Sequence, residues 1–266
     1  MGLSTRLKQM AKAGRHLTDD SVLSERNLKQ AMQGVVAHAR KRLASIGGTV
    51  HHTSTISLYE CQQHFHAAGG PAPNVENKTV FMKPDGGILF ASVRDKTYPI
   101  LIVEDKVQGT NDLLYAANQK RQATGNAIER GAKNIRGAEM LFANLPIFPY
   151  LIFAAGCDFH ASETIAKRIE MMNMGFPNHY IEVTPSTTPD EELTMVEGLL
   201  PNIDVTKKLG MGIASVFVKA HKWDEMPHGS SQWKTEEYQK ICCHAVDLSL
   251  EALAKTISTI SGSPDT

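Results

Sequence analysis

Disulfide chemistry is the first thing this sequence lacks. Its four cysteines, Cys61, Cys157, Cys242 and Cys243, are scattered over 266 residues and two are adjacent, which is too few and too uneven for a disulfide framework and suits a reducing compartment. Net charge is missing as well. Lys plus Arg and Asp plus Glu stand at 28 each, a balance that on its own argues against a dedicated nucleic-acid binder. No long hydrophobic run is present. The most apolar stretch, 145–157, carries Pro146 and Pro149 and falls short of the roughly 20 residues that a spanning helix needs, so a buried strand is expected there. The start MGLSTRLKQM has no apolar signal core, and Arg6 breaks the myristoylation pattern, so a cytoplasmic location is expected. Internal repeats and low-complexity tracts are also absent. What is present, 42% apolar and 21% charged residues, is ordinary globular usage and excludes disordered, collagen-like and integral membrane chains.

The length favours one large domain. Within it we expect a basic helical arm over roughly 1–45, a core over 75–180 and a C-terminal strand and helix over 205–260. Residues 1–42 carry nine basic and three acidic residues, a surplus of six that the neutral total conceals. Ala31, Val35, Ala39 and Leu43 recur at helical spacing, with Ser24 as the expected N-cap ahead of Glu25. After the turn residues of 69–74 the pattern becomes extended: Val80 to Met82, Ile88 to Val93 and Tyr98 to Val103 suggest a hairpin or meander. A helical face follows through Ile128, Ala132, Ile135 and Phe142, then a strand over 150–155. Further helices are expected over 162–174 and 235–260, a strand over 213–219, and an exposed acidic excursion over 184–197. Alternation of this kind predicts an α/β fold with a central mixed sheet flanked by helices.

Chemistry is concentrated in Lys83-Pro84-Asp85-Gly86-Gly87 and Val103-Glu104-Asp105-Lys106. Side chains alternate along a strand, so Glu104 and Lys106 share a face while Asp105 points away and leaves its carbonyl on the cluster side. Asp85, at the bend before the partner strand, meets Glu104 across the hairpin. Two carboxylates, a carbonyl and an ammonium at one point suit Mg²⁺, which takes hard oxygen ligands when it also binds phosphate. The lysine can orient an attacking water and offset charge on the phosphorus. The same residues are also compatible with a turn and an exposed charge pair. A second segment, Thr124 to Ile135, places an amide, a carboxylate and a guanidinium at a helix start, groups that read base edges, within a stretch 118–136 holding five basic residues against Glu129 alone. Asn126 as a helix cap and Glu129-Arg130 as a solvated pair is the plainer alternative.

Taken together, KPDGGI, VEDK followed by Gln108-Gly109, GNAIER followed by Lys133-Asn134-Ile135, and Phe148-Pro149-Tyr150 leading into LIF resemble the EcoRI restriction endonucleases in order and spacing, from about Lys83 to Phe159. The resemblance recurs weakly around 174–177 and after Trp233. It implies the PD-(D/E)xK nuclease fold and a type II restriction endonuclease with Asp85, Glu104 and Lys106 as the catalytic set. Mg²⁺ would then be held by Asp85, Glu104 and the carbonyl of Asp105, although the family usually has a small residue between that Glu and Lys. Asn126, Ala127, Glu129 and Arg130 match the segment that reads AATT in double-stranded DNA, and Lys133, with Lys83 and Arg168, is expected on phosphates. A homodimer on the palindrome GAATTC is implied, cutting after the G to leave 5′ overhangs and 5′ phosphates, beside a protective methyltransferase. Gln122 and Ala123 occupy the positions where the family helps to read the outer base pair. Gln122 departs from the family pattern, so CAATTG remains an alternative, as does a non-catalytic DNA-binding protein. Cys61, His64 and His66, with His51 and His52, do not match a closed zinc pattern, and Cys242 and Cys243 are expected in a helix core.

Overall fold

A computed structural model describes residues 17–60, 78–94, 96–107, 126–142, 147, 149–156, 159, 167, 180–182, 215–219 and 232–261. In chain order these form α1 (Leu17–Ala44), β1 (Thr49–Thr53), β2 (Ile56–Ser57), β3 (Phe81–Met82), β4 (Gly87–Val93), β5 (Lys96–Val107), α2 (Asn126–Phe142), β6 (Tyr150–Ala155), β7 (Tyr180–Glu182), β8 (Ser215–Lys219) and α3 (Thr235–Ser261). Six strands make one sheet in the order β1-β4-β5-β6-β8-β7. The β1-β4-β5 side is antiparallel and the β5-β6-β8-β7 side parallel, so the sheet is mixed, as expected. The change of direction falls at β5.

Both faces of this sheet are covered. Leu89, Leu101, Val103, Leu151, Phe153 and Phe217 pack on one face against Leu28, Val35 and Leu43 of α1 and Tyr238, Ile241 and Val246 of α3. Ile88, Phe90, Ile102, Tyr150, Ile152 and Val216 pack on the other against Ile135, Ala138 and Phe142 of α2. Central parallel strands covered on both sides read as unbroken apolar runs. YLIFAA of β6 and SVFVK of β8 are buried at every position. Each fully buried aliphatic or aromatic side chain contributes roughly 1.5–3 kcal/mol, and these two layers make α1, the sheet and α3 one packed unit.

Two expectations need correction. Ser24 is not an N-cap: α1 begins seven residues earlier, at Leu17, and Ser24 is fully buried inside it, because its hydroxyl bonds to side chains beyond the helix. Residues 81–82 do not continue the meander either. They pair with Ile56–Ser57 in a separate two-stranded sheet, leaving Pro84 to Gly87 free to turn sharply into β4. The expected helix over 162–174 apart from residue 167, the acidic excursion over 184–197, and Cys61, His64 and His66 lie outside the described residues.

That turn depends on its glycines. Gly86 donates its N–H to the Val103 carbonyl at 2.9 Å, and a Cβ on it would stand 2.7 Å from the Val103 Cβ. Gly87 has φ +79°, and a Cβ there would meet the Thr53 carbonyl oxygen at 2.5 Å. Gly87→Ala should therefore lower stability in urea denaturation by about 1–2 kcal/mol or more, the cost of a left-handed L-residue plus the clash. Gly137→Ala should instead raise it by roughly 0.5–1 kcal/mol, since nothing lies within 4 Å of its added Cβ inside α2. Equal effects at the two positions would refute the assignment of the turn.

Candidate active site

Strand β5 runs out of the buried core through Val103 and delivers three polar residues in succession at its C-terminal end. The tight approach of Gly86 to Val103 carries Asp85 over that end, where its Oδ2 accepts the Asp105 N–H at 3.1 Å. Alternation does the rest. Lys106 Nζ donates to Asp85 Oδ2 at 3.0 Å, to the Asp105 carbonyl oxygen at 3.0 Å, and to Glu104 Oε1. All three ammonium hydrogens are directed at oxygens, and three oxygens from three residues converge on one cation. His52 Nε2 donates to the Gly86 carbonyl at 3.0 Å, bracing the turn from β1.

Burial differs sharply within the cluster. The Glu104 side chain is 2% exposed and that of Asp85 44%. Desolvation pushes the Glu104 carboxyl above the usual range, while Lys106 and a hydrogen bond from Asn134 pull it back. For Lys106, burial works against the charged form, but Glu104 and Asp85 outweigh it and hold the proton more tightly than on a free lysine. Asp105 faces the opposite layer, and desolvation there raises its carboxyl to about 6 despite bonds from Ser24 and Tyr238.

The oxygens present fit a hard divalent cation. Asp85, Glu104 and the Asp105 carbonyl supply oxygen donors only, and Glu104 Oε2 is buried with no hydrogen-bond partner among the described residues, an orphaned acceptor that a metal would satisfy. No group of three or more His, Cys, Asp and Glu side chains with metal-binding geometry occurs among the described residues. The third protein ligand would have to be the backbone carbonyl.

Four of the expected DNA-reading residues, Asn126, Ala127, Glu129 and Arg130, belong to α2, a helix that touches this cluster through Asn134. Glu129, Arg130 and Lys133 are exposed on that helix, whereas Asn126 and Ala127 open it with side chains outside the described residues. Gln122, Ala123 and Arg168 also lie outside them. Lys83 is exposed, with its ammonium 5.5 Å from the centre of the Phe81 ring. Sequence reasoning missed Asn134. Its side-chain amide donates to Glu104 Oε1 at 2.7 Å, so one residue of α2 touches the buried carboxylate directly. The available signal was its place in the Lys133-Asn134-Ile135 run, to which no role for the amide was attached.

With this geometry in view, the family comparison is decisive: the family model for the restriction endonuclease EcoRI matches residues 18–259. The chain belongs to the EcoRI restriction endonuclease family. It is thus a type II site-specific deoxyribonuclease that binds and cleaves double-stranded DNA, in a family that generally uses divalent metal ions. Comparison with curated proteins finds no match. Among the described residues no helix is long and apolar enough to cross a membrane. The α/β architecture is consistent with this family, whose match spans the eleven elements of the described residues apart from the ends of α1 and α3.

One prediction follows from the electrostatics alone. Asn134→Ala removes a bond that holds the Glu104 carboxyl down, so Glu104 should titrate at higher pH than in the wild type when its carboxyl carbon is followed by NMR. An unchanged or lower titration midpoint would contradict this placement of Asn134.

Proposed function

We propose that Asp85, Glu104 and Lys106 are the catalytic residues of this endonuclease and that Mg²⁺ is its metal, held by Asp85, Glu104 and the Asp105 carbonyl. The observation that carries this reading is the convergence of those three oxygens on the Lys106 ammonium at the end of β5. Bound there, Mg²⁺ would act as a Lewis acid on the scissile phosphate. With Mg²⁺ on those oxygens, an N–H group of Lys106 would be released from them to orient the attacking water, and its ammonium would offset negative charge on the pentacoordinate phosphorus. The water oxygen attacks phosphorus in line as its proton passes to solvent. The P–O3′ bond breaks, O3′ takes up a proton from solvent, and the 5′ phosphate stays on the other fragment.

Specificity is assigned to the start of α2. Asn126, Ala127, Glu129 and Arg130 read AATT, while Lys133, Lys83 and Arg168 bind phosphates. The site is GAATTC, cut after the G on each strand by a homodimer. Such an enzyme is cytoplasmic and is paired with a methyltransferase that protects the host sequence. Gln122 at an outer-pair position supports CAATTG as the second reading.

Digestion of phage DNA with Mg²⁺ tests the assignment and, by sequencing of the fragment ends, identifies the outer base pair. Discrete fragments with AATT at the cut are expected; ends without it would refute the recognition site. Glu104→Ala and Lys106→Ala should each slow cleavage by about 10²- to 10³-fold or more with specific binding kept, and full cleavage by either would remove the catalytic assignment. Arg130→Ala or Asn126→Ala should cost about 1–3 kcal/mol of discrimination per lost contact, measured by competition among duplexes altered within AATT. Unchanged preference would sink the reading-segment assignment.

A further inference from the structure

On the layer behind the cluster, three hydroxyl or carboxyl groups from distant parts of the chain close a triangle. Ser24 Oγ donates to Asp105 Oδ2 at 2.7 Å, Tyr238 Oη donates to Asp105 Oδ1 at 2.8 Å, and the two hydroxyls lie 2.9 Å apart. Ser24 and Tyr238 are both fully buried, and they belong to α1 and α3. The surroundings are apolar: Leu28, Val103, Phe153 and Ile241 belong to the same cluster as Tyr238, and the Tyr238 ring packs edge-on to Phe153, centroids 4.8 Å apart. A polar group in such a layer is costly unless fully bonded. The carboxylate that the two hydroxyls share is the side chain of the residue whose backbone lies in the active site.

Asp105 therefore reaches both ways. Its N–H is on Asp85 and its carbonyl on Lys106, while its side chain is clamped between two helices. We propose that Asp105 is a positioning residue: through Ser24 and Tyr238 it locks the peptide between Glu104 and Lys106 to α1 and α3, and so sets the spacing of the catalytic cluster. This inference rests on the assignment of Asp85, Glu104 and Lys106 made above. Its effect falls on the cleavage step and not on DNA affinity, because neither helix partner shares a face of the sheet with α2. An amide at position 105 can close the same triangle, donating to Ser24 and accepting from Tyr238, whereas an aliphatic side chain cannot.

The test is single-turnover cleavage, by the full-length protein in Mg²⁺, of a duplex carrying the mapped site, at a temperature where each variant is folded by circular dichroism. Tyr238→Phe and Asp105→Leu should slow the bound complex by roughly 10- to 100-fold, the scale of a small misplacement of reacting groups, with duplex affinity measured without metal kept within about threefold, well under the tenfold that corresponds to 1.4 kcal/mol. Asp105→Asn should cleave about tenfold faster than Asp105→Leu or better, as expected when the ring is restored. Should the larger changes prevent folding, Ser24→Ala, which deletes one hydroxyl, is expected to slow cleavage in the same direction. Wild-type rates in the folded ring variants, a matching loss of affinity, or no advantage of Asn over Leu would overturn the proposal. Glu104→Ala separates the two claims: if it cleaves normally the catalytic assignment itself falls, and if it is inactive while Tyr238→Phe is fully active only the positioning role falls.

Discussion

A carboxylate that is 2% exposed remains charged only where the protein supplies what water no longer does, and at Glu104 that supply is the Lys106 ammonium and the Asn134 amide. This compensation orders much of the molecule. It requires β5 to end beside α2, so that Asn134 is in reach; the Pro84 to Gly87 turn brings Asp85 against the same ammonium, where it opposes the charge on Glu104 and helps to hold the proton on Lys106. Removing one partner would leave a buried charge uncompensated, which costs more than the pair gains by forming. The cluster also carries one more negative than positive charge among Asp85, Glu104 and Lys106, a residual attraction for a cation that fits a family generally using divalent metals.

The strand itself divides the labour. On the α2 side, Glu104 and Lys106 face the helix that carries Arg130 and Lys133. On the opposite side, Asp105 ties the strand to α1 and α3. Because consecutive side chains of a strand point to opposite faces, three adjacent residues serve chemistry and anchorage at once. Both helices of the rear layer are long and deeply packed, which gives the anchor a rigid base. A short, partly buried ion pair, Lys219 with Glu237 at 2.6 Å, and the Trp233 indole donating to the Ala154 carbonyl at 3.0 Å bind the start of α3 to the neighbouring strands in the same way.

The neutral total of 28 against 28 charges is no obstacle to DNA binding. Basic residues gather in 1–42 and 118–136, while acidic ones stand at the cluster ending β5 and collect in 184–197. A partition of this kind favours directed contacts over indiscriminate attraction to phosphate.

Much of the site was legible in the sequence because its logic is local. Alternation along one strand put Glu104 and Lys106 on a common face, the Asp-Gly-Gly bend put Asp85 opposite them, and the succession of strands and helices announced a mixed sheet flanked by helices. The strands β1 and β2 were not legible, since Thr49–Thr53 is largely polar and Ile56–Ser57 is two residues long. Ser24 was misread as a cap because a buried serine and a capping serine look alike in a sequence. What the sequence determined by itself, then, is the chemistry that neighbouring residues impose on one another. What only the tertiary structure decided is which distant groups complete it: Asn134 on Glu104, 30 residues away, His52 on the turn, 34 away, and Ser24 and Tyr238 on Asp105, 81 and 133 away. Contacts over such separations are set by how helices pack on a sheet, and no spacing along the chain records that.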